Sequence, residues 1–123
     1  MNHNSKPIYI FVYGTLMSGQ PAHHKLSGAV YLGRYRLDDY AMYKVSYYPG
    51  IIPQRGEHVI GEVYAITADM LPAMDEYEDE GRLYHRRTVT VSNGTEECSV
   101  QAYIYAKEVD PAAIMRRPWD QTE

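Results

Sequence analysis

Cysteine and long apolar segments are scarce in this chain of 123 residues. Cys98 is the only cysteine, which excludes an internal disulfide bond and a zinc site built from several thiolates. No apolar run approaches the roughly 20 residues that a membrane-spanning helix needs. The first seven residues also lack the apolar stretch of a secretory signal. We therefore expect a cytoplasmic protein with no membrane partner.

Basic charge is in deficit as well, because twelve Lys and Arg residues stand against sixteen Asp and Glu residues and the net charge is −4. Proteins bind nucleic acid through clusters of Lys and Arg, so nucleic acid is not an expected partner. The five histidines show no metal-ligand spacing such as H-x-x-x-H. Glycine loops for phosphates or dinucleotides are absent, and so is the G-x-S-x-G motif of hydrolases. The sequence supports neither a metal site nor a bound cofactor.

Aromatic residues other than tyrosine are nearly missing, since the chain has thirteen Tyr, one Phe and one Trp. A tyrosine ring combines a large apolar surface with a polar end. This composition indicates half-buried rings at the boundary with water. Such rings either cover small sheets or line a cavity for a small-molecule ligand.

Short apolar segments predict a protein rich in strands. The run from Ile8 to Tyr13 lacks polar alternation, which predicts a strand buried on both faces. Further strands are predicted at 29–37, 40–45, 58–66 and 84–92, with a turn at Asp38-Asp39 and a loop at 46–57. Short helices are predicted at 22–26, between the N-cap Thr67 and Gly81, and at 112–117.

About six short strands are expected to curl into a barrel or roll, because this avoids open sheet edges. The predicted fold class is α+β: a small mixed β-barrel or roll of about six strands with two or three short flanking helices. We expect a single domain over residues 8–117, a disordered N-terminal segment at 1–7 and a tail at 118–123.

Asn93-Gly94 predicts a two-residue hairpin turn. The resulting register pairs Val89 with Cys98 and places Cys98 on the same face as Val89 and Val91. This placement indicates that Cys98 is a small core residue rather than a nucleophile.

The segment Tyr13-Gly14-Thr15-Leu16 lies at the end of the first predicted strand. A glycine directly after a buried strand lets the backbone turn and can leave successive N–H groups without acceptors, which then bind a carboxylate or an oxyanion. An ordinary strand-ending turn has the same residues, and spacing alone favours that simpler interpretation.

Five carboxylates crowd residues 75–80, a pattern that is usually a solvated helix face. Glu78 differs, because it follows Leu71 by seven residues and Met74 by four and so shares their inward face. Asp75 is expected to point more outward. Burial beside apolar neighbours raises the pKa of a carboxyl group, which suits it to proton transfer near neutral pH.

A set of short segments occurs along the chain in a fixed order: FVYGTL at 11–16, YPG at 48–50, GEVY at 61–64, MDEYE at 74–78, YHR at 84–86 and AYIY at 102–105. In this order they resemble the gamma-glutamylcyclotransferase-like family, which includes gamma-glutamylamine cyclotransferases. The resemblance spans about residues 8–106.

The resemblance implies a small closed or nearly closed β-barrel with flanking helices, and it implies a reaction. Characterised members act on gamma-glutamyl amides, in which the α-amine attacks the γ-carbonyl to release 5-oxoproline and a free amine or amino acid. Neither a metal nor an organic cofactor is needed. Glu78 stands at the position of the family's catalytic glutamate, which acts as general base and acid.

The resemblance also implies roles for neighbouring residues. The loop made of Tyr13, Gly14, Thr15 and Leu16 stands where family members hold the glutamyl part of the substrate. Tyr84 is carried over as a wall of the cavity, without a chemical role.

Several features leave alternatives open. Asp79 stands where family members often have glycine, Thr15 replaces serine, and the gap between Glu78 and Tyr84 is short and charged, so the leaving group is not specified. A non-catalytic ligand-binding or regulatory domain on the same fold is the main alternative, and a related amide-cleaving enzyme with another route is a third. The sequence does not distinguish a monomer from a homodimer.

Overall fold

Six strands and one α-helix occur within residues 6–121, which are the residues that this computed structural model describes. The strands are β1 (Ile8–Val12), β2 (Val30–Lys44), β3 (Pro49–Ile66), β4 (Tyr84–Ser92), β5 (Glu97–Tyr105) and β6 (Ile114–Met115). The helix is α1 (Leu71–Glu78). Single 3-10 turns lie at His23–Leu26, Ala68–Met70, Pro111–Ala113 and Trp119–Gln121.

The first five strands close into a barrel, with β6 added beside β2. The order is β3-β1-β5-β4-β2-β6, and β2 also pairs with β3, which completes the ring. β1 runs antiparallel to β3 and parallel to β5, so the sheet is mixed. The predicted α+β fold, a small mixed barrel with short flanking helices, is confirmed.

β1 is covered on both faces, as its apolar sequence predicts. Ile10, Phe11 and Val12 are all buried although their side chains alternate across the sheet. Gly61 of β3 allows this close packing, because a Cβ atom there would overlap the carbonyl oxygen of Val12 and the ring of Phe11. The strand ends at Val12, which is itself buried, and the chain is still buried at Tyr13.

The hairpin of β2 and β3 is much longer than predicted, and two predictions here are wrong. The expected turn at Asp38-Asp39 is a bulge inside β2, where Asp39 has a left-handed φ of 64° and its carboxylate accepts a hydrogen bond from the Gly56 N–H at 3.0 Å. The expected loop at 46–57 is mostly strand. Pro49 begins β3 and Pro53 pairs with Tyr40 next to the bulge, and these are positions where a strand tolerates proline.

The helical segments are shorter than predicted. The segment expected between Thr67 and Gly81 is a 3-10 turn followed by α1, and the side chain of Thr67 forms no cap. The helix ends at Asp79, which has a left-handed φ of 56°. The helix predicted at 112–117 is wrong, because Pro111–Ala113 forms a 3-10 turn and Ile114–Met115 forms β6.

The hairpin of β4 and β5 has a four-residue connection instead of the predicted two. Ser92 pairs with Glu97 and Val89 pairs with Val100, because Asn93 Oδ1 accepts hydrogen bonds from the N–H groups of Thr95 and Glu96. The register differs from the prediction by two residues, so every side chain keeps its predicted face. Cys98 is only partly buried and packs against the core as a free thiol.

The packed structure extends beyond the predicted domain end at residue 117. Trp119, expected in a tail, is buried with 9% of its surface exposed and belongs to the core. Residues 1–5 of the predicted disordered segment lie outside the described residues. Residues 122–123 of the predicted tail also lie outside them. No helix within residues 6–121 is long and apolar enough to cross a membrane.

Candidate active site

A cavity of about 220 Å³ opens where β1, the β2–β3 turn and the end of α1 meet. Its wall consists of residues 11–16, residues 47–49 and the side chains of Tyr77, Glu78, Leu83, Tyr84 and Tyr103. The six residues singled out in the sequence, Tyr13, Gly14, Thr15, Leu16, Glu78 and Tyr84, all line this one cavity. The fold thus brings the loop after β1 and the acidic end of α1 together.

The loop after β1 presents backbone N–H groups that have no acceptor. Its carbonyl groups are used, since Gly14 O accepts from the Met17 N–H at 3.0 Å and Thr15 O accepts from the Ala22 N–H at 2.9 Å. Within residues 6–121, no group accepts a hydrogen bond from the N–H of Gly14, Thr15 or Leu16. The loop can therefore donate hydrogen bonds to an anionic group in the cavity.

Gly14 is required by close packing and not by its backbone conformation. Its φ is not in the left-handed region. A Cβ atom at this position would lie 2.7 Å and 2.8 Å from the Cγ and Cδ atoms of Pro49. The loop after β1 and the start of β3 therefore approach each other over a glycine, which fixes one wall of the cavity.

Glu62 of β3 holds the same loop through a hydrogen bond, and the sequence analysis did not single out this residue. This carboxylate is buried with 6% exposure, and its Oε1 atom accepts from the Ser18 N–H at 2.8 Å and the Tyr64 hydroxyl at 3.0 Å. A lone acidic residue in the apolar strand segment Gly61-Glu62-Val63-Tyr64 was the signal that could have revealed it. Glu62 holds the backbone N–H of Ser18, so it fixes the course of the loop.

Glu78 is the last residue of α1, and its carboxylate faces the cavity with only partial exposure. No described residue donates a hydrogen bond to it. Burial alone raises the pKa of Glu78 to about 7. At neutral pH the group is therefore divided between its acidic and its basic form, as a proton-transfer residue requires.

Three tyrosines next to Glu78 direct their hydroxyl protons elsewhere. The Tyr13 hydroxyl donates to Tyr103 O at 2.6 Å, and the Tyr84 hydroxyl donates to Pro49 O at 2.6 Å. The Tyr103 hydroxyl donates to Asp75 Oδ1 at 2.7 Å. Burial is the main reason that the pKa of Tyr84 is raised, and the nearby charge of Glu78 raises it further. The Tyr84 hydroxyl therefore stays protonated. The rings shield Glu78 from water without donating to its carboxylate.

Asp75 secures the helix that carries Glu78, and the expectation that it points outward is wrong. Arg86 of β4 donates from Nε to Asp75 Oδ1 at 2.9 Å and from Nη2 to Oδ2 at 3.2 Å. Burial raises the pKa of Asp75, but the hydrogen bonds from Arg86 and Tyr103 outweigh it and hold the pKa below its usual range. This two-point contact ties α1 to β4 and β5 one helical turn before Glu78.

The mouth of the cavity is aromatic, which the sequence did not specify. Tyr47 is 81% exposed and packs edge-on against Tyr48, with ring centres 5.1 Å apart. Tyr77 is 39% exposed, and its hydroxyl lies 2.8 Å from Thr15 Oγ1. The Lys25 ammonium lies 4.9 Å from the centre of the Tyr77 ring. Only the abundance of tyrosine pointed to such a surface.

Among residues 6–121, Glu78 is the only acidic side chain in the cavity wall, and none of the lysines, arginines, histidines or the cysteine in that range lines it. In the part of the chain that the structure describes, no group of three His, Cys, Asp or Glu residues is placed to hold a metal ion. The chemistry that the cavity offers is thus a carboxylate of raised pKa opposite unpaired backbone N–H groups.

Comparison with known proteins connects this geometry to a family. The family model described as gamma-glutamyl cyclotransferase, AIG2-like, matches residues 10–121. The chain is 36% identical over 106 residues to the gamma-glutamylcyclotransferase family protein ytfP of Citrobacter rodentium, covering 86% of this chain and 89% of that protein. It is 30% identical over 120 residues to the gamma-glutamylaminecyclotransferase of Bos taurus, covering 89% of this chain and 71% of that protein.

The fold has close counterparts among solved structures. The crystal structure of the uncharacterized protein PH0828 from Pyrococcus horikoshii superposes with a TM-score of 0.74 at 27% identity. The match covers 93% of this chain and 91% of that one.

Proposed function

The chain belongs to the gamma-glutamyl cyclotransferase, AIG2-like family, and from this premise we propose that it converts a gamma-glutamyl amide into 5-oxoproline and a free amine. Membership supports an activity of the cyclotransferase type. The reacting atoms and the residues that serve them are the proposal, and they are argued from the cavity.

The proposed reaction is an intramolecular acyl transfer. The α-amine of the glutamyl group attacks its own γ-carbonyl carbon, a C–N bond closes the five-membered ring, and the original amide C–N bond breaks. The attacking nitrogen changes from NH₃⁺ to a ring NH, and the leaving nitrogen changes from an amide NH to NH₃⁺. Two protons therefore pass from one nitrogen to the other, and no water or cofactor is consumed.

Glu78 is proposed as the group that carries both protons. The α-amine has an ordinary pKa of about 7.7–8.0, and burial raises the pKa of Glu78 to about 7, so proton transfer between them is nearly balanced in energy. The carboxylate takes one proton, delivers it to the leaving nitrogen and repeats the cycle. The absence of a donor to Glu78 among residues 6–121 leaves both of its oxygens available for this.

The N–H groups of Gly14, Thr15 and Leu16 are proposed to hold the α-carboxylate of the glutamyl group. An anchored carboxylate folds the glutamyl chain so that its amine approaches its γ-carbon. Because the reaction is intramolecular, positioning supplies a large part of the rate. The aromatic walls exclude water, which would otherwise stabilise the charged amine and carboxylate.

The observation that carries the proposal is the half-buried Glu78 carboxylate, with a pKa of about 7, facing unpaired backbone N–H groups across one cavity. The test is mass-spectrometric detection of 5-oxoproline after incubation with a panel of gamma-glutamyl amides. Glu78→Gln preserves size but cannot accept a proton, and we expect it to lower kcat by at least about 10²-fold.

Glu76→Gln is the matched control, because Glu76 lies on the same helix and is exposed. It should leave the rate within about twofold of the unchanged protein. Binding of a gamma-glutamyl amide without turnover would favour the alternative of a non-catalytic binding domain. A trapped acyl-enzyme, seen as an added glutamyl mass on the protein, would favour a different amide-cleaving route.

A further inference from the structure

We propose that Tyr47 and Tyr77 bind an uncharged aromatic group on the leaving amine, so that gamma-glutamyl amides of arylalkyl amines are better substrates than gamma-glutamyl amino acids. The inference rests on the proposed function, because a leaving amine exists only if a gamma-glutamyl amide is cleaved. It concerns the outer half of the cavity, which the proposed proton transfer does not use.

Tyr47 is a large ring held in place at the mouth with most of its surface exposed to water. It lines the cavity, yet 81% of it is accessible. The ring is not loose, because it packs edge-on against Tyr48 with an interplanar angle of 90°. The turn itself is closed by hydrogen bonds from the N–H groups of Val45 and Ser46 to Tyr48 O at 3.0 Å and 3.1 Å. A positioned, exposed ring of this kind gains contact area when an apolar or aromatic group covers it.

Tyr77 extends the aromatic surface from the mouth toward the reacting half of the cavity. It directly precedes Glu78 in the chain, and its hydroxyl is bonded to Thr15 Oγ1 in the loop proposed to hold the glutamyl group. Tyr77 and Glu78 line the same cavity, so we expect a substituent on the leaving nitrogen to lie against this ring when the γ-carbonyl lies near Glu78. The ring therefore contacts the part of the substrate that differs between leaving groups.

The charges in the cavity oppose a leaving group that carries a carboxylate. In the part of the chain that the structure describes, Glu78 is the only acidic side chain of the wall, and no lysine, arginine or histidine belongs to it. Lys25 lies over the Tyr77 ring and is not part of the wall. A second carboxylate placed here would lose water without gaining a cationic partner and would face Glu78. An uncharged ring meets neither penalty.

The test compares three substrates that share the same reacting half. Gamma-glutamyl-phenethylamide and gamma-glutamyl-phenylalanine have the same ring and differ by one carboxylate. Gamma-glutamyl-propylamide lacks both the ring and the carboxylate. We expect kcat/KM to be highest for the phenethylamide, by about three- to tenfold over the propylamide and by at least about tenfold over the phenylalanine compound.

Variants then assign the preference to the rings. Tyr47→Ala should remove most of the advantage of the phenethylamide over the propylamide, because it should lower kcat/KM for the phenethylamide more than kcat/KM for the propylamide. Tyr47→Phe retains the ring and should retain the advantage. Tyr9→Ala is the matched control, since Tyr9 is also exposed, at 36%, but does not line the cavity. Tyr77→Leu should reduce the same ratio and slow all three substrates, because it also breaks the bond to Thr15.

Equal kcat/KM for the phenethylamide and the propylamide would overturn the inference, and so would a preference for the phenylalanine compound that disappears in Lys25→Met. In both cases 5-oxoproline is still formed, so the proposed function stands.

If no substrate is turned over, the proposed function fails. The inference about the two rings is then tested separately, by calorimetric titration of the Glu78→Gln protein with the phenethylamide and with the propylamide. Tighter binding of the phenethylamide, lost in a Tyr47→Ala background, supports it, and equal or absent binding overturns it.

Discussion

At the scale of single residues, the surroundings of Glu78 define its chemistry. Its carboxylate lies among tyrosine rings whose hydroxyl groups are bonded to other acceptors, so burial raises its pKa to about 7 without compensation. Asp75 lies one turn earlier on the same helix and has the opposite shift, because hydrogen bonds from Arg86 and Tyr103 hold its pKa low. Two carboxylates three residues apart thus have different environments, which is why we propose proton transfer for Glu78 and a positioning role for Asp75.

The raised pKa of Glu78 predicts the pH dependence of activity. The base must be deprotonated to accept a proton, so kcat/KM should rise as pH increases through about 7, and not through the ordinary carboxyl range near 4.5. Initial rates of 5-oxoproline release between pH 5 and pH 9 measure this profile. A flat profile between pH 5.5 and pH 8 would contradict the assignment.

Gly14 provides a second prediction at the residue scale. In Gly14→Ala the new Cβ would lie 2.7–2.8 Å from the ring of Pro49, so the loop with the unpaired N–H groups must shift. We expect kcat/KM to fall by between about 10- and 100-fold, because small misplacements of a substrate-positioning loop have effects of this size. Replacing Pro49 by Ala in the same protein removes the Cγ and Cδ atoms that clash and should restore most of the rate. Failure of this double variant to recover would mean that Gly14 acts in another way.

At the scale of elements, α1 is a short helix whose position depends on its contacts with the barrel. It has eight residues, too few to be stable alone, and Met74 is its only fully buried side chain. Asp75 adds the contact with Arg86 and Tyr103, which links the helix to β4 and β5. The place of Glu78 in the cavity therefore depends on Asp75, although Asp75 does not line it.

Replacing Asp75 tests this dependence. Asp75→Ala leaves Arg86 without its paired carboxylate and the Tyr103 hydroxyl without its acceptor, so the free energy of unfolding should decrease by about 1–3 kcal/mol in urea titration. The lower limb of the pH–rate profile should also move away from pH 7, because a displaced helix changes the burial of Glu78. Glu76→Ala, on the exposed side of the helix, should change neither quantity. A loss of stability with an unchanged pH profile would show that Asp75 stabilises the fold without positioning Glu78.

The elements also show what sequence patterns can predict. β1 and β4 were predicted closely because an unbroken apolar run and a strict alternation are strong local signals. β3 was missed over residues 49–57 because its prolines and glycines are typical of loops. Their presence in a strand depends on the bulge opposite Pro53 and on the Tyr105 ring packed against Gly50, and both are tertiary features.

At the scale of the whole molecule, closure of the barrel assembles the cavity from residues far apart in the chain. The loop after β1, the β2–β3 turn and the end of α1 meet because β1 lies between β3 and β5, and β2 returns to β3. Helical spacing was sufficient to predict that Glu78 faces inward, and the strand end was sufficient to single out residues 13–16. Tyr47 and Tyr103 could not be identified, because Tyr103 is bonded to Tyr13, 90 residues away, and Tyr47 matters through its exposure at the mouth. Glu62 left one local signal, an acidic residue in an apolar strand segment, but its contact with Ser18 joins residues 44 positions apart.

The central claim is that the α-amine, and not water, attacks the γ-carbonyl with Glu78 as the base. The most direct measurement is a reaction in H₂¹⁸O with a gamma-glutamyl amide, analysed by mass spectrometry beside Glu78→Gln. We predict 5-oxoproline without ¹⁸O from the unchanged protein and almost none from Glu78→Gln. Glutamate labelled with ¹⁸O at its γ-carboxyl group, or unlabelled 5-oxoproline formed equally fast by Glu78→Gln, would contradict the account.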